Sequence, residues 1–188
     1  MPRREVEFLQ GEFYHLYNRG NDRQPIFFDD ENYLFFLKRI RRYLMPGVRL
    51  HAYCLMPNHY HLLVEVAQDI DLSDYMKKLI ISYTKAVNKR YEKVGHLFQG
   101  PFKAKDVGTQ DYFLHLSRYI HLNARIAKLV QRAEDWEFSS YRDYLGVRRD
   151  GFVTTGRILS HFRGIDDYRE YVELLTEAEI EKIQGGLY

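Results

Sequence analysis

Apolar positions along this chain recur at two periods, and each change of period marks an element. Phe13-Tyr14-His15-Leu16-Tyr17-Asn18-Arg19-Gly20 reads as a first strand that stops at Gly20. After the polar loop Asn21-Asp22-Arg23-Gln24-Pro25, Asp29 or Asp30 offers a helix N-cap. Tyr33, Phe36, Leu37, Ile40 and Leu44 then repeat at helical spacing, with Lys38, Arg39, Arg41 and Arg42 on the other side, until Pro46-Gly47 closes the helix. Arg49 to Met56 and His59 to Val66 read as two strands joined by a tight antiparallel connection at Pro57-Asn58. From Asp71 to Tyr91 the residues Leu72, Tyr75, Met76, Leu79, Ile80, Tyr83 and Val87 form the apolar stripe of a second helix, which Gly95 breaks. A fourth strand lies around Phe102 to Val107, and a third helix opens at Thr109 or Gln110 and runs towards Ile126.

Strand, helix, strand, strand, helix, strand is the ferredoxin-like βαββαβ order, an α+β class with an antiparallel sheet whose central strands are the first and third. Helices cover one face of such a sheet, which leaves the other for a ligand. The segment Trp136-Glu137-Phe138-Ser139-Ser140-Tyr141 begins a separate portion, so the chain divides into 1–135 and a helical C-terminal extension over 136–188. Within the extension, Arg157 to Phe162 and Tyr168 to Ile183 read as helical.

A length of 188 residues with 45% hydrophobic content fits one folded domain with elaborations. The single cysteine, Cys54, excludes an internal disulfide, and its apolar neighbours suggest a buried thiol in a reducing compartment. No apolar run approaches membrane-spanning length and the N-terminus lacks the apolar core of a signal peptide, so the expected location is the cytoplasm. Net charge is only +2 but uneven. Between Met76 and Lys105 stand Lys77, Lys78, Lys85, Lys89, Arg90, Lys93, Lys103 and Lys105 against the lone acid Glu92, whereas Gly164 to Tyr188 is acidic. A basic middle among 16 tyrosines and 12 phenylalanines suits single-stranded nucleic acid, whose bases stack on rings, and equally suits a solvated helix face over an aromatic core.

The candidate chemistry lies in the third strand. Side chains there alternate, so His59 and His61 share one face while Tyr60, Leu62 and Val64 take the apolar other. Two imidazoles about 6–7 Å apart along a strand can both reach one metal ion, though such pairs also occur at the edges of ordinary cores. On the third helix, Tyr119 and Asn123 are four apart on one face, with His115 a turn earlier. An amide oxygen from Asn123 can complete a cation's shell, and that cation can polarise a phosphate beside Tyr119. Unaided, a phenol of pKa about 10 is a weak nucleophile at neutral pH. Glu65 shares the histidine face but reads as solvent-facing, and His96, His115 and His121 read as hydrogen-bonded structural residues.

Taken in order, Pro57-Asn58-His59-Tyr60-His61-Leu62-Leu63-Val64, Gly100-Pro101-Phe102-Lys103 and Arg118-Tyr119-Ile120-His121-Leu122-Asn123 resemble the IS200-like Y1 (HUH) transposases. The branch they resemble most is that of the REP-associated tyrosine transposases, as Asn18-Arg19-Gly20-Asn21 and Trp136…Ser139-Ser140-Tyr141 also do. The resemblance spans about Phe13 to Tyr144 and implies a Y1 catalytic domain over 1–135. It implies His59 and His61 as metal ligands around the hydrophobic Tyr60, Asn123 as the third ligand and Tyr119 as the catalytic tyrosine. It implies one Mg²⁺ or Mn²⁺, single-stranded DNA hairpins as partner, and phosphodiester transesterification through a 5′-phosphotyrosine that leaves a free 3′-OH. Dimers and monomers both occur in the family. His121 stands where the family usually carries an acidic residue, and Ala124 where a proline is common. Lys77, Lys78, Lys85, Lys89, Lys103, Lys105 and Arg118 are the candidate DNA contacts.

Rival readings are another HUH nickase of the replication-initiator or relaxase kind, a domesticated hairpin-binding protein without turnover, and a zinc hydrolase with water as nucleophile. Intact His59, His61, Tyr119 and Asn123 weigh against a mere binding protein, which needs neither ligand nor nucleophile.

Overall fold

A computed structural model describes residues 6–174 together with 176 and 178. Four strands, β1 (Phe13–Arg19), β2 (Val48–Met56), β3 (His59–Val66) and β4 (Lys103–Asp106), form one sheet in the order β2-β3-β1-β4. Every neighbouring pair is antiparallel. This is the ferredoxin-like arrangement, with β1 and β3 in the middle. Three longer helices, α1 (Asp30–Tyr43), α2 (Leu72–Arg90) and α3 (Gln110–Ile126), start where side chains relieve unpaired backbone amides. Asp29 accepts from the Asn32 amide, Asp71 from those of Ser73 and Asp74, and Thr109 from that of Tyr112. Such a cap contributes about 1 kcal/mol.

The alternation in β1 and β3 sorts the core into two layers. Tyr14, Leu16, Tyr60, Leu62 and Val64 point to one face and pack on Tyr33, Phe36 and Ile40 of α1 and on Met76, Leu79 and Tyr83 of α2. Tyr60 is fully buried there, its ring 5.1 Å from that of Phe36. The second face was expected to stay open, and it does not. Ala52, Cys54, Met56 and Leu63 on that face are buried against Phe113, Leu116, Tyr119 and Ile120 of α3. A βαββαβ unit has only two helices to place, so covering the second face falls to the helix that follows β4. Cys54 is buried as expected, and burial pushes its thiol up to about 12.

Three short helices follow: α4 (Tyr141–Tyr144), α5 (Gly156–Leu159) and α6 (Ile165–Glu173). Before α4, the chain straps the outer edge of β2. Leu55 N donates to Phe138 O, Ser140 N to Tyr53 O, and Trp136 Nε1 to Leu55 O. An unpaired strand edge invites foreign strands, and this strap closes it. The helix expected over Arg157 to Phe162 is the single turn α5, and α6 accounts for the start of the Tyr168 to Ile183 prediction, whose remainder falls largely outside the described residues. No helix among the described residues is long and apolar enough to cross a membrane.

A β-bulge between Leu50 and Ala52 corrects one further expectation. It makes His51 the extra residue and buries it, with Nε2 3.0 Å from Glu65 Oε2, while Arg49 Nη1 meets Glu65 Oε1 at 2.6 Å. Glu65, expected to face solvent, therefore has a side chain only 13% exposed. Its carboxylate is taken up by Arg49 and His51 and not by His59 or His61.

Candidate metal and nucleophile site

The tight Pro57-Asn58 turn places His59 at the end of β3. Gly20 N donates to Asn58 O, and Ile26 N and Phe27 N both donate to Pro57 O, so the turn is held from outside the hairpin. A Cβ on Gly20 would collide with the Gln24 carbonyl oxygen, which explains the glycine at the end of β1. The Asn58 side chain donates through Nδ2 to Arg23 O and accepts through Oδ1 from His59 Nδ1 at 2.6 Å. With its proton committed at Nδ1, neutral His59 presents a bare Nε2.

His59 and His61 lie side by side, ring centroids 5.1 Å apart. Across the pair stands α3. The Tyr119 ring meets the His61 ring edge-on at 5.7 Å, and Asn123 comes within hydrogen-bonding range of His59. Asn123 Nδ2 donates to Tyr119 O one turn back, which commits its nitrogen and turns its oxygen to the site. The helix carrying Tyr119 packs on the sheet of its own chain, so the two histidines, Tyr119 and Asn123 meet within one polypeptide.

Burial sets the charge state of the imidazoles. Desolvation holds His59 down at about 4, with the Arg19 charge adding to it and Asn123 opposing it. His61 lies well below its ordinary value for the same first reason, followed by its His59 and His15 neighbours. Both rings are neutral at pH 7, as ligation requires. His61 Nε2 is buried and has no hydrogen-bond partner in the protein, an expensive condition unless something else is meant to occupy it. No group of three His, Cys, Asp or Glu side chains among the described residues could hold a metal ion. The donor set is thus two neutral imidazoles and one amide oxygen. That set fits a divalent cation that would take its remaining ligands from water or phosphate oxygens.

Comparison with known families decides the kinship. Residues 10–123, more than half of the chain, match the family model described as "Transposase IS200 like". The chain belongs to the IS200-like transposase family. A solved REP-associated tyrosine transposase bound to a REP hairpin has the same fold, with a TM-score of 0.67 and 16% identity over 82% of this chain and 89% of that one. A candidate transposase from Deinococcus radiodurans shares 17% identity over 69% of this chain and 96% of that one, with a TM-score of 0.43, a likeness too slight to bear on the fold. No protein of curated function matches the sequence.

Set on this transposase fold, the candidate DNA contacts separate. Lys103 and Lys105 on β4 pair with Tyr17 and His15 and so share the histidine face. Lys77, Lys78, Lys85 and Lys89 belong to α2, on the opposite side of the sheet, and the structure does not bring them to the site. Lys78 is taken up by Asp74 at 2.7 Å. Arg118 is also displaced from the expected role: it is buried, with its guanidinium 4.6 Å above the Tyr171 ring of α6.

Sequence reasoning passed over three neighbours. Tyr17 pairs with His61 across the strands, half-buried, with ring centroids 6.1 Å apart and the Lys103 amine 6.0 Å above its ring. Arg19 pairs with His59. His15, fully buried, places Nε2 2.9 Å from His61 Nδ1. The alternation Phe13, His15, Tyr17, Arg19 was the available signal, once β1 and β3 are known to pair.

His121, the departure from the family pattern, is structural. Its Nδ1 lies 2.7 Å from the Tyr168 hydroxyl and its Nε2 2.8 Å from Ser140 Oγ, with the ring fully buried. It ties α3 at once to α6 and to the strap along β2. Desolvation alone holds it down to about 3.

Proposed function

We propose that this chain is a metal-dependent, single-stranded DNA transesterase of the REP-associated tyrosine kind, cleaving and rejoining hairpin-flanked DNA. The observation that carries the reading is the meeting of Tyr119 with His61 on one sheet face, where His61 Nε2 is buried without a partner. The fold shared with a transposase bound to a REP hairpin supports a hairpin as partner.

His59 Nε2, His61 Nε2 and the Asn123 oxygen would hold one Mg²⁺ or Mn²⁺, which when bound neutralises charge developing on the phosphate. The Tyr119 oxygen attacks phosphorus, and the P–O3′ bond breaks. The phenol proton departs and the 3′ oxygen ends as a free hydroxyl, leaving the 5′-phosphate on Tyr119. A later hydroxyl reverses the step and rejoins the DNA without a nucleotide cofactor. Tyr119 is only 2% exposed, whereas His59, Arg19 and Tyr17 are half-buried, so a strand enters from their side. Arg19 and Lys103 supply positive charge there.

The test is denaturing electrophoresis of the protein with labelled single-stranded hairpin DNAs and Mn²⁺. A covalent band that disappears with Tyr119→Phe and with EDTA is expected. Cleavage that leaves no adduct and survives Tyr119→Phe would make water the nucleophile and sink the reading.

A further inference from the structure

Both metal-facing imidazoles are held at Nδ1, but by different means. Asn58 Oδ1 can only accept, so the His59 proton is fixed on Nδ1. His61 has no such one-way partner. Its Nδ1 faces another imidazole nitrogen, His15 Nε2, at 2.9 Å, and both residues are buried. The outer nitrogens of this two-ring chain, His15 Nδ1 and His61 Nε2, have no hydrogen-bond partner.

Two proton arrangements satisfy the inner hydrogen bond. In one, His15 Nε2–H donates to His61 Nδ1, and His61 carries its proton on Nε2, where it blocks a cation. In the other, His61 Nδ1–H donates to His15 Nε2, and His61 Nε2 is a bare lone pair. Only the second is competent for ligation, and it requires an acceptor at His15.

We infer that His15 is a positioning residue for the cation site: by accepting the His61 Nδ1 proton at its own Nε2, it fixes the His61 tautomer and ring orientation that leave Nε2 free for a divalent metal. This rests on the reading of His61 as a metal ligand. The placement has a simple origin in the sheet. His15 pairs with Leu63, one diagonal step from His61 on the same face, and the Tyr17 ring stacks on His15 at 4.8 Å to hold it there. A hydrogen-bond partner behind a metal ligand is worth about ten- to a hundredfold in metal affinity.

The experiment compares wild type, His15→Phe and His15→Gln for Mn²⁺ affinity by calorimetry, with thermal midpoints measured alongside. Phenylalanine keeps the ring stacking and cannot accept; glutamine keeps an acceptor. Affinity should fall about ten- to a hundredfold in His15→Phe and recover most of the loss in His15→Gln. In the Mg²⁺-saturated wild type, ¹⁵N NMR should show the His61 proton on Nδ1, coupled through the hydrogen bond to His15 Nε2. That measurement needs no variant and stands if His15→Phe fails to fold. A His61 proton on Nε2 under Mg²⁺ would overturn the inference, as would wild-type affinity in a folded His15→Phe. Wild-type affinity in a folded His15→Phe would leave the proposed function standing, with His61 still a ligand, whereas a His61 proton on Nε2 would also take His61 out of the proposed shell. Absence of Mn²⁺ binding by wild type, with no adduct, would remove both.

Discussion

The Tyr119 ring stands edge-on to the His61 imidazole, centroids 5.7 Å apart and planes at 76°, joining α3 to the middle of the sheet. One turn along the helix, Asn123 reaches His59. If that amide oxygen is a ligand, Asn123→Ala should weaken Mn²⁺ binding on the order of tenfold or more and depress adduct formation with it. Asn123→Asp should bind at least as well as wild type, since a carboxylate is the better ligand for a hard cation. Calorimetric titration of both variants decides the matter, and equal affinity in Asn123→Ala would exclude Asn123 from the shell.

Tyr168 anchors α6 to α3 through His121. In Tyr168→Phe the His121 Nδ1 would stay buried with its partner gone, at a cost of about 1–3 kcal/mol. Trp136, the one tryptophan, packs against Phe138 on the strap and gives a convenient fluorescence signal for urea unfolding. A lower midpoint is expected, and an unchanged one would mean that the hydroxyl contributes nothing to holding the extension.

Stability should fall on acidification. His121 is held at about 3 when folded, against 6.5 for an ordinary histidine, and His15 likewise at about 3. Between those values the unfolded chain takes up protons that the folded chain refuses. Their stabilising effect is therefore complete above pH 6.5 and is lost as pH falls towards 3. Each such group steepens the loss by up to about 1.4 kcal/mol per pH unit. Urea midpoints for wild type and His121→Asn, taken from neutral to pH 5, should show a shallower slope in the variant, by a difference that grows towards one proton as pH approaches 5.

Strand binding should depend on which side of the sheet a lysine occupies. Replacing Lys103 and Lys105 by alanine should weaken single-stranded DNA binding. It should also reduce the slope of log affinity against log salt by about 0.7 for each phosphate left without its lysine. Replacing Lys77, Lys85 and Lys89 on α2 should leave the single-strand affinity near wild type. Fluorescence anisotropy over a salt series reads both, and the reverse ranking would move the strand to the helical face.

Much of the fold was legible because its causes are local. Period-two runs at Phe13–Arg19 and His59–Val66, helical stripes capped by Asp29, Asp71 and Thr109, and the Pro57-Asn58 turn each depend on neighbours a few residues apart. The pairing of His59 with His61 on one face follows from the pleat alone, and that of Tyr119 with Asn123 from the helical turn alone. The order of elements was enough to put β3 and β1 at the centre.

What no local rule could supply is which element lies over which. The sequence by itself determined two pairs, His59 with His61 and Tyr119 with Asn123; only the packing of α3 across β2 and β3 brought them to one place and buried His61 among them. The same packing took Arg118 out of solvent and gave His121 partners from Tyr168 and Ser140, far along the chain. It also left the α2 lysines behind the sheet. His15 shows the limit most clearly. Its position in β1 was plain, yet its hydrogen bond with His61 spans 46 residues of sequence and exists only because two strands align in one register. Burial and hydrogen-bond partnership are properties of the assembled chain, because the dielectric and the neighbours that set them come from segments distant in sequence.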